Sequence, residues 1–377
     1  MTKRFCFVPF HLLLFVVTFT SLFTGEKERV PRITLGPWLS LPSETSMTIS
    51  WYTDLPSMAF VQLGKMNVDE QIISDSNLTT KHVFTISELQ PSTRYYYRVI
   101  SGDTSKIFKF QTLIENNSPF TFIAYGDTRS QHNVHLSVVQ KMSEFDALFA
   151  LHTGDNVGNG TNLEHWKIYF DIICNQSNFG CNVPIFYTMG NHERNASHWY
   201  DYFEMPHNNP EKNETFYSFN CNEAHFVCLN TYIPYDTGSV QYSWLLQDLE
   251  NSKKMKWKFV FFHSPPFSSG SGHGSDIKVR NAFHPVFQYY NITMVFNGHD
   301  HTYERTNSLG GVTYVVTGGG GAPLYSLNNN PWTANKESSY HFCLILVDTN
   351  YVFFKMIRTD GIVGDSLRIL STNIFGH

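Results

Sequence analysis

Two patterns of hydrophobic and polar positions divide the chain. From 32 to 113, short β-rich runs follow one another: ITLGPWL, SMTISWYT, AFVQLGK, KHVFTIS, RYYYRVIS and KIFKFQTL. Several alternate apolar with polar, and Pro, Ser, Asn and Asp separate them, which predicts an all-β domain over 30–114. ENNSP (115–119) reads as a linker. From Phe120 onward the periods themselves alternate. FTFIAY, ALFAL, VPIFYT, WKFVFF and ITMVFN predict strands, and VHLSVVQKMSEF, NLEHWKIYFDII and QYSWLLQDLENS carry helical spacing. The segment HPVFQYY lies between the last two of these strands, and the tail adds GVTYVVTGGGG, YHFCLILVD, YVFFKMI and SLRIL. Strands interleaved with helices predict an α/β domain over 119–377, with its site at the strand ends. No repeat of 20–50 residues is present.

Local detail sharpens the first domain. In LQPSTRYYYRV (89–99) tyrosines follow a Pro-containing corner, like the tyrosine corner of β-sandwiches. A fibronectin-III-like sandwich is therefore predicted, and no residue in it reads as a catalyst.

Composition and charge narrow the setting. The chain has 377 residues, of which 42% are hydrophobic, and a formal net charge of −5. Two globular domains fit that length, and the charge offers no basic surface to nucleic acid. Lys3 and Arg4 precede an apolar run from Phe5 to Phe19, then small and polar residues to Gly25. That predicts a signal peptide over 1–24 and no membrane span once it is cleaved. A secreted or lysosomal glycoprotein is expected, with N-x-S/T sequons at Asn77, Asn116, Asn159, Asn175, Asn195, Asn213 and Asn291. Five of the six cysteines lie beyond that segment. Cys174–Cys181 and Cys221–Cys228 are near enough in sequence to form disulfides, and Cys343 in HFCLILV reads as a buried free thiol.

The chemistry gathers where the strands of the second domain end. Asp127 stands in YGDTR, Asp155 in HTGDNVG, Asn191 and His192 in MGNHE, His263 in VFFHSPP, and His299 and His301 in NGHDHTYER. One such residue caps a turn; five strands ending this way would crowd carboxylates, an amide and imidazoles on one edge. Bound cations resolve that repulsion. Histidine mixed with carboxylate and no cysteine suits Zn, Fe or Mn, and six ligands suit two ions. Two ions bridged by a carboxylate form the clamp used on phosphate esters.

The ordered set GD, GD, GNHE, VFFH and GHDH resembles the purple acid phosphatases within the calcineurin-like metallophosphoesterases. Tyr303, Glu304 and Arg305 after the last pair and the run VVTGGGG strengthen the resemblance, which covers nearly the whole mature chain. It implies two mixed sheets flanked by helices. It also implies a first metal on Asp127, Asp155 and His301, and a second on Asp155, Asn191, His263 and His299. His192 would bind the phosphate or protonate the leaving alkoxide, and His273, ten residues after His263, would contact substrate.

One departure matters. The tyrosine whose ferric complex colours this family falls at Gly158, so a stable Fe(III)-tyrosinate is not expected. Other metallophosphoesterases carry a histidine where this chain has Arg129. Arg129 cannot ligate, but it could grip phosphate bidentately. His135 is a further candidate ligand. The resemblance implies a metal-dependent acid phosphatase acting on phosphomonoesters, with water activated on the ions. A phosphodiesterase or nucleotide pyrophosphatase and a non-catalytic binding glycoprotein are the rival readings. The sequence leaves monomer and homodimer both open.

Overall fold

The computed structural model describes residues 29–115 and 117–371. The predicted leader, 1–24, lies outside the described residues.

Strands Ile33–Ser40, Met47–Gly64, Gln71–Ile86, Arg94–Ser101, Asp103–Thr104 and Phe108–Gln111 pair antiparallel throughout. The 18-residue strand Met47–Gly64 is their spine: its first half pairs with Ile33–Ser40, its second with Arg94–Ser101. Register shifts between Tyr52 and Ala59 bend it, as bulges do, so the sheet folds over its own core as a sandwich. Trp38, Trp51, Val61 and Tyr97 fill that core. Along Arg94–Ser101 every second residue is buried. The Tyr95 hydroxyl accepts the Gln90 N–H at 2.9 Å, which is the tyrosine corner foreseen from LQPSTRYYYRV.

Two mixed sheets make the second domain. One runs Val363–Leu370, Tyr351–Arg358, His341–Val347, Phe120–Tyr125, Phe149–His152, Ile185–Tyr187. The other runs Tyr217–Cys221, Ala224–Cys228, Trp257–Phe261, Met294–Asn297, Thr313–Thr317, Tyr303–Thr306, Thr333–Glu337. Aromatic rings join them face to face: Phe122 meets Phe226 and Phe259 edge-on at 5.2 Å each. Helices Val240–Asn251 and Ile277–Tyr289 cover the outer face of the second sheet, packing Leu245, Leu249, Val279 and Phe283 on Val227, Val260 and Val295. Helices His132–Met142 and Leu163–Phe170 contribute Val138, Val139, Met142 and Phe170 to the core on the other side. The sandwich docks there as well, with Trp38 4.5 Å from Phe170 and the Tyr97 hydroxyl donating to the Cys181 carbonyl at 2.7 Å.

The central strands of each sheet run parallel. Parallel strands bring their carboxyl ends to the same edge, which is how residues 127, 155, 191, 263 and 299 meet although the first and last lie 172 positions apart.

Two expectations needed revision. The hairpin Tyr217–Cys221/Ala224–Cys228 was not foreseen, because polar residues break its two five-residue runs. Its register excludes a Cys221–Cys228 disulfide. Cys228 lies opposite Tyr217, four positions along from Cys221, about 13 Å at strand rise and beyond disulfide reach. Cys174 and Cys181 do adjoin, the Cys181 thiol donating to the Cys174 carbonyl at 3.4 Å, but they are not bonded to each other. Cys343 is a buried thiol, as read from its apolar run.

Candidate metal centre

Asp127, Asp155 and His263 are fully buried, and each offers a ligand atom within 4.8 Å of the others. The backbone makes this possible at some cost. Asp127 (φ 56°), Asp155 (φ 56°) and His299 (φ 71°) all sit in the left-handed region, where L-residues are strained. The glycines before the ligands allow the close approach. A Cβ on Gly190 would stand 2.2 Å from Asp155 Oδ1, and one on Gly298 2.3 Å from Asp127 Oδ2.

Backbone carbonyls orient the imidazoles. The Nδ1–H of His263 donates to the Thr153 carbonyl at 2.8 Å, and that of His301 to the Pro323 carbonyl at 2.7 Å. Each therefore turns an Nε2 lone pair inward. His263 Nε2 lies 3.5 Å from Asp155 Oδ1, and His301 Nε2 lies 3.6 Å from Asp127 Oδ1. His263 Nε2 is buried and accepts no hydrogen bond. Burial opposes charge on His263, but Asp155 and Asp127 outweigh it and lift its pKa to about 9. Burial pushes Asp127 well up; at Asp155 burial also opposes the charge, but His263 and His192, through their charges and hydrogen bonds together, outweigh it and draw it down. Buried carboxylates that keep a positive charge on the imidazole between them, whose Nε2 has no hydrogen-bond partner, fit a metal ion taking the place of that proton.

The remaining predicted residues fall around this group. The His299 N–H reaches both oxygens of Asp127 at 3.1 and 3.0 Å, and its ring lies 5.0 Å from that of His263. His273 stacks on His299 at 3.8 Å, so the loop after His263 does return to the centre. Asn191 Oδ1 accepts the Tyr232 hydroxyl at 3.4 Å. The His192 N–H donates to Asp155 Oδ1 at 3.0 Å, and its Nε2 stands 3.8 Å from Asp155 Oδ2. Arg129 Nε donates to Asp155 Oδ2 at 3.2 Å, and Nη2 lies 3.3 Å from His301 Nε2. His135 is buried between the rings of Tyr125 and Tyr169 and is not joined to the carboxylate group. It lines a cavity of about 100 Å³ beside Gly158, together with Arg129, His132 and His165.

The GNHE motif marks Asn191 and His192 by their chemistry, and the structure adds Glu193. Its buried carboxylate accepts N–H groups from Gly190 (2.7 Å), Asp155 (3.0 Å) and Val157 (3.3 Å), tying two ligand loops together. Burial and the charge of Asp155 raise its pKa to about 7. Asp300, between His299 and His301, is a second addition. It accepts Ser268 Oγ (2.5 Å) and the N–H groups of His273 (2.8 Å) and Gly274 (2.9 Å), which fixes the loop carrying His273. Their signal was present, since both stand inside ligand motifs. Tyr232 and Tyr325, which stacks on His301 at 4.2 Å, lie in loops with no motif to mark them.

An α/β layered domain with a carboxylate–histidine cluster at its parallel strand ends, docked on an antiparallel sandwich, defines a phosphoesterase-type metal protein. The calcineurin-like phosphoesterase family matches residues 120–303, and the N-terminal domain of purple acid phosphatase matches 36–112. Purple acid phosphatase 21 of Arabidopsis thaliana is 28% identical over 347 residues, 82% of this chain and 78% of that protein. A phosphoenolpyruvate phosphatase of Allium cepa is 26% identical over 326 residues, 74% of this chain, and the match spans 66% of that protein's length. The purple acid phosphatase PPD1 of yellow lupin seeds shares the fold with a TM-score of 0.78 at 19% identity, over 89% of this chain and 74% of that one. The structure of PhoD superposes with a TM-score of 0.72 at 14% identity, over 94% and 95% of the two chains. The chain thus carries a calcineurin-like phosphoesterase domain behind a purple acid phosphatase N-terminal domain.

Proposed function

We propose that this protein is a metal-dependent phosphatase of phosphomonoesters, working at mildly acidic pH in a secreted or lysosomal setting. The observation that carries the reading is the buried Asp127–Asp155–His263 cluster, with His192 and His273 beside it. Asp127, Asp155, Asn191, His263, His299 and His301 would hold the metal, drawn from Fe, Zn or Mn. The family implies a dinuclear centre. Ions bound there supply Lewis acidity toward phosphate oxygens and water.

The chain's own residues do the rest. His192 Nδ1–H is held by the Gly158 carbonyl at 2.8 Å, which leaves Nε2 to face the substrate side of Asp155. In its protonated form it hydrogen-bonds a phosphate oxygen or gives its proton to the leaving alkoxide. His273, pinned through Asp300 and stacked on His299, adds a second donor. Arg129 has guanidinium donors left over for phosphate. The names of the relatives support this substrate class. The sequons and the N-terminal apolar run support the secretory route. The test is hydrolysis of p-nitrophenyl phosphate by metal-loaded protein beside its Asp155→Ala variant. Equal rates for the two would overturn the assignment.

A further inference from the structure

The two metal positions implied by the ligand set are not equivalent in this chain. At the position of Asp155, Asn191, His263 and His299, the His263 Nε2 is buried with no hydrogen-bond partner, and Asn191 Oδ1 takes a long bond of 3.4 Å from the Tyr232 hydroxyl, a neutral group that a metal can displace. At the position of Asp127, Asp155 and His301, the donors are already engaged. Arg129 Nε bonds Asp155 Oδ2 at 3.2 Å, and Nη2 sits 3.3 Å from the inward Nε2 of His301. Because His301 Nδ1–H is committed to the Pro323 carbonyl, that Nε2 is the atom a metal would need. Gly158 adds no side chain there. The Arg129 side chain is 16% exposed and Asp155 is 1% exposed, so the pair is poorly screened.

We propose that Arg129 is the resident cation of the first position, and that this chain binds one metal ion per subunit, at the second. The inference rests on reading the cluster as a metal centre and revises its stoichiometry. The charges favour it. Asp127 and Asp155 carry two negative charges. One divalent ion and the guanidinium give three positive charges against them. A second divalent ion would raise that to five, within a few ångströms and largely away from water, where like charges repel strongly. A guanidinium cannot give way by losing its proton. Among the described residues, the outer Nη1 of Arg129 hydrogen-bonds Ser130 Oγ, weakly, at 3.4 Å. The group can therefore grip a phosphate oxygen while still bound to Asp155, supplying the charge that a first metal would otherwise supply.

The test is metal counting. Wild-type protein is stripped with a chelator, reloaded with excess Mn²⁺ or Zn²⁺, desalted and analysed for metal. We expect one ion per chain in the wild type and two in Arg129→His, which removes the cation and offers an imidazole. Mn²⁺-loaded wild type should give the electron paramagnetic resonance spectrum of an isolated ion, a readout that needs no variant. Two ions per wild-type chain with a spin-coupled spectrum would overturn the proposal while leaving the phosphatase reading intact. One ion in a folded Arg129→His protein would show that the guanidinium is not the cause and would overturn it as well. No metal in either protein would overturn the reading of the cluster itself.

Discussion

The Gly158 carbonyl accepts the Nδ1–H of His192 at 2.8 Å. The residue that lacks a tyrosine's phenolate thus acts through its backbone, fixing the tautomer and direction of the imidazole that faces Asp155. His192 is placed by two main-chain bonds, this one and its own N–H to Asp155 Oδ1. His192→Ala should lower kcat by about 10²- to 10⁴-fold, the usual worth of a positioned acid, with KM changed less. Its metal content should equal that of the wild type. A matching loss of metal would make His192 a structural prop of the centre instead.

A side chain at position 158 should be tolerated. A Cβ there would meet only His165, at 3.4 Å, and the adjoining cavity of about 100 Å³ has room for part of a ring. Gly158→Tyr should therefore fold with near-normal stability. Iron-loaded wild type should be colourless, and Gly158→Tyr alone should stay so if Arg129 holds the first position. Gly158→Tyr combined with Arg129→His should develop a visible tyrosinate band. A purple wild-type protein would contradict the role given to Gly158.

Glu193 joins the loops of Asp155 and Gly190 from beneath. Glu193→Ala strands three buried N–H groups at about 1–3 kcal/mol each. It should lower the unfolding free energy by at least about 3 kcal/mol and weaken metal binding. Glu193→Gln keeps an acceptor oxygen and should recover part of both, measured by thermal unfolding and metal titration.

Acid should destabilise the protein through buried histidines outside the Asp127–Asp155–His263 cluster. His341 is fully buried, its Nδ1–H on the Ser339 carbonyl at 2.8 Å and its Nε2 3.2 Å from Thr317 Oγ1. Burial holds its pKa down to about 4, and holds that of His135 to about 3. The unfolded chain titrates near 6.5, so between that pH and about 4 it binds protons the fold does not. The stability these groups contribute is complete above about pH 6.5 and is lost as pH falls toward 4. The slope is up to about 1.4 kcal/mol per pH unit for each group. His341→Gln should show a flatter fall of melting temperature from pH 6.5 to 4 than the wild type. An unchanged slope would remove His341 from the account.

Much of the site was legible because its residues are written at strand ends. An apolar run followed by a carboxylate or imidazole needs only parallel strands to become a shared edge, and Asp127, Asp155, Asn191, His263 and His299 all follow that rule. The tyrosine corner was equally local, a Pro turn and a Tyr a few residues on. The hairpin at 217–228 was not legible because polar residues break its two short runs, and Glu193 and Asp300 were marked only by their place inside the motifs, since the fold decides which N–H groups reach them.

The sequence alone determined the order of a β domain and an α/β domain, and the carboxylate, amide and imidazole residues at the strand ends, because period and residue chemistry are properties of the chain. Tertiary structure alone decided three things. It set the hairpin register that parts Cys221 from Cys228. It turned Gly158 into the carbonyl that holds His192. It laid the Arg129 guanidinium on Asp155 and His301, two ligands that lie 26 and 172 positions away and meet it only at the folded edge.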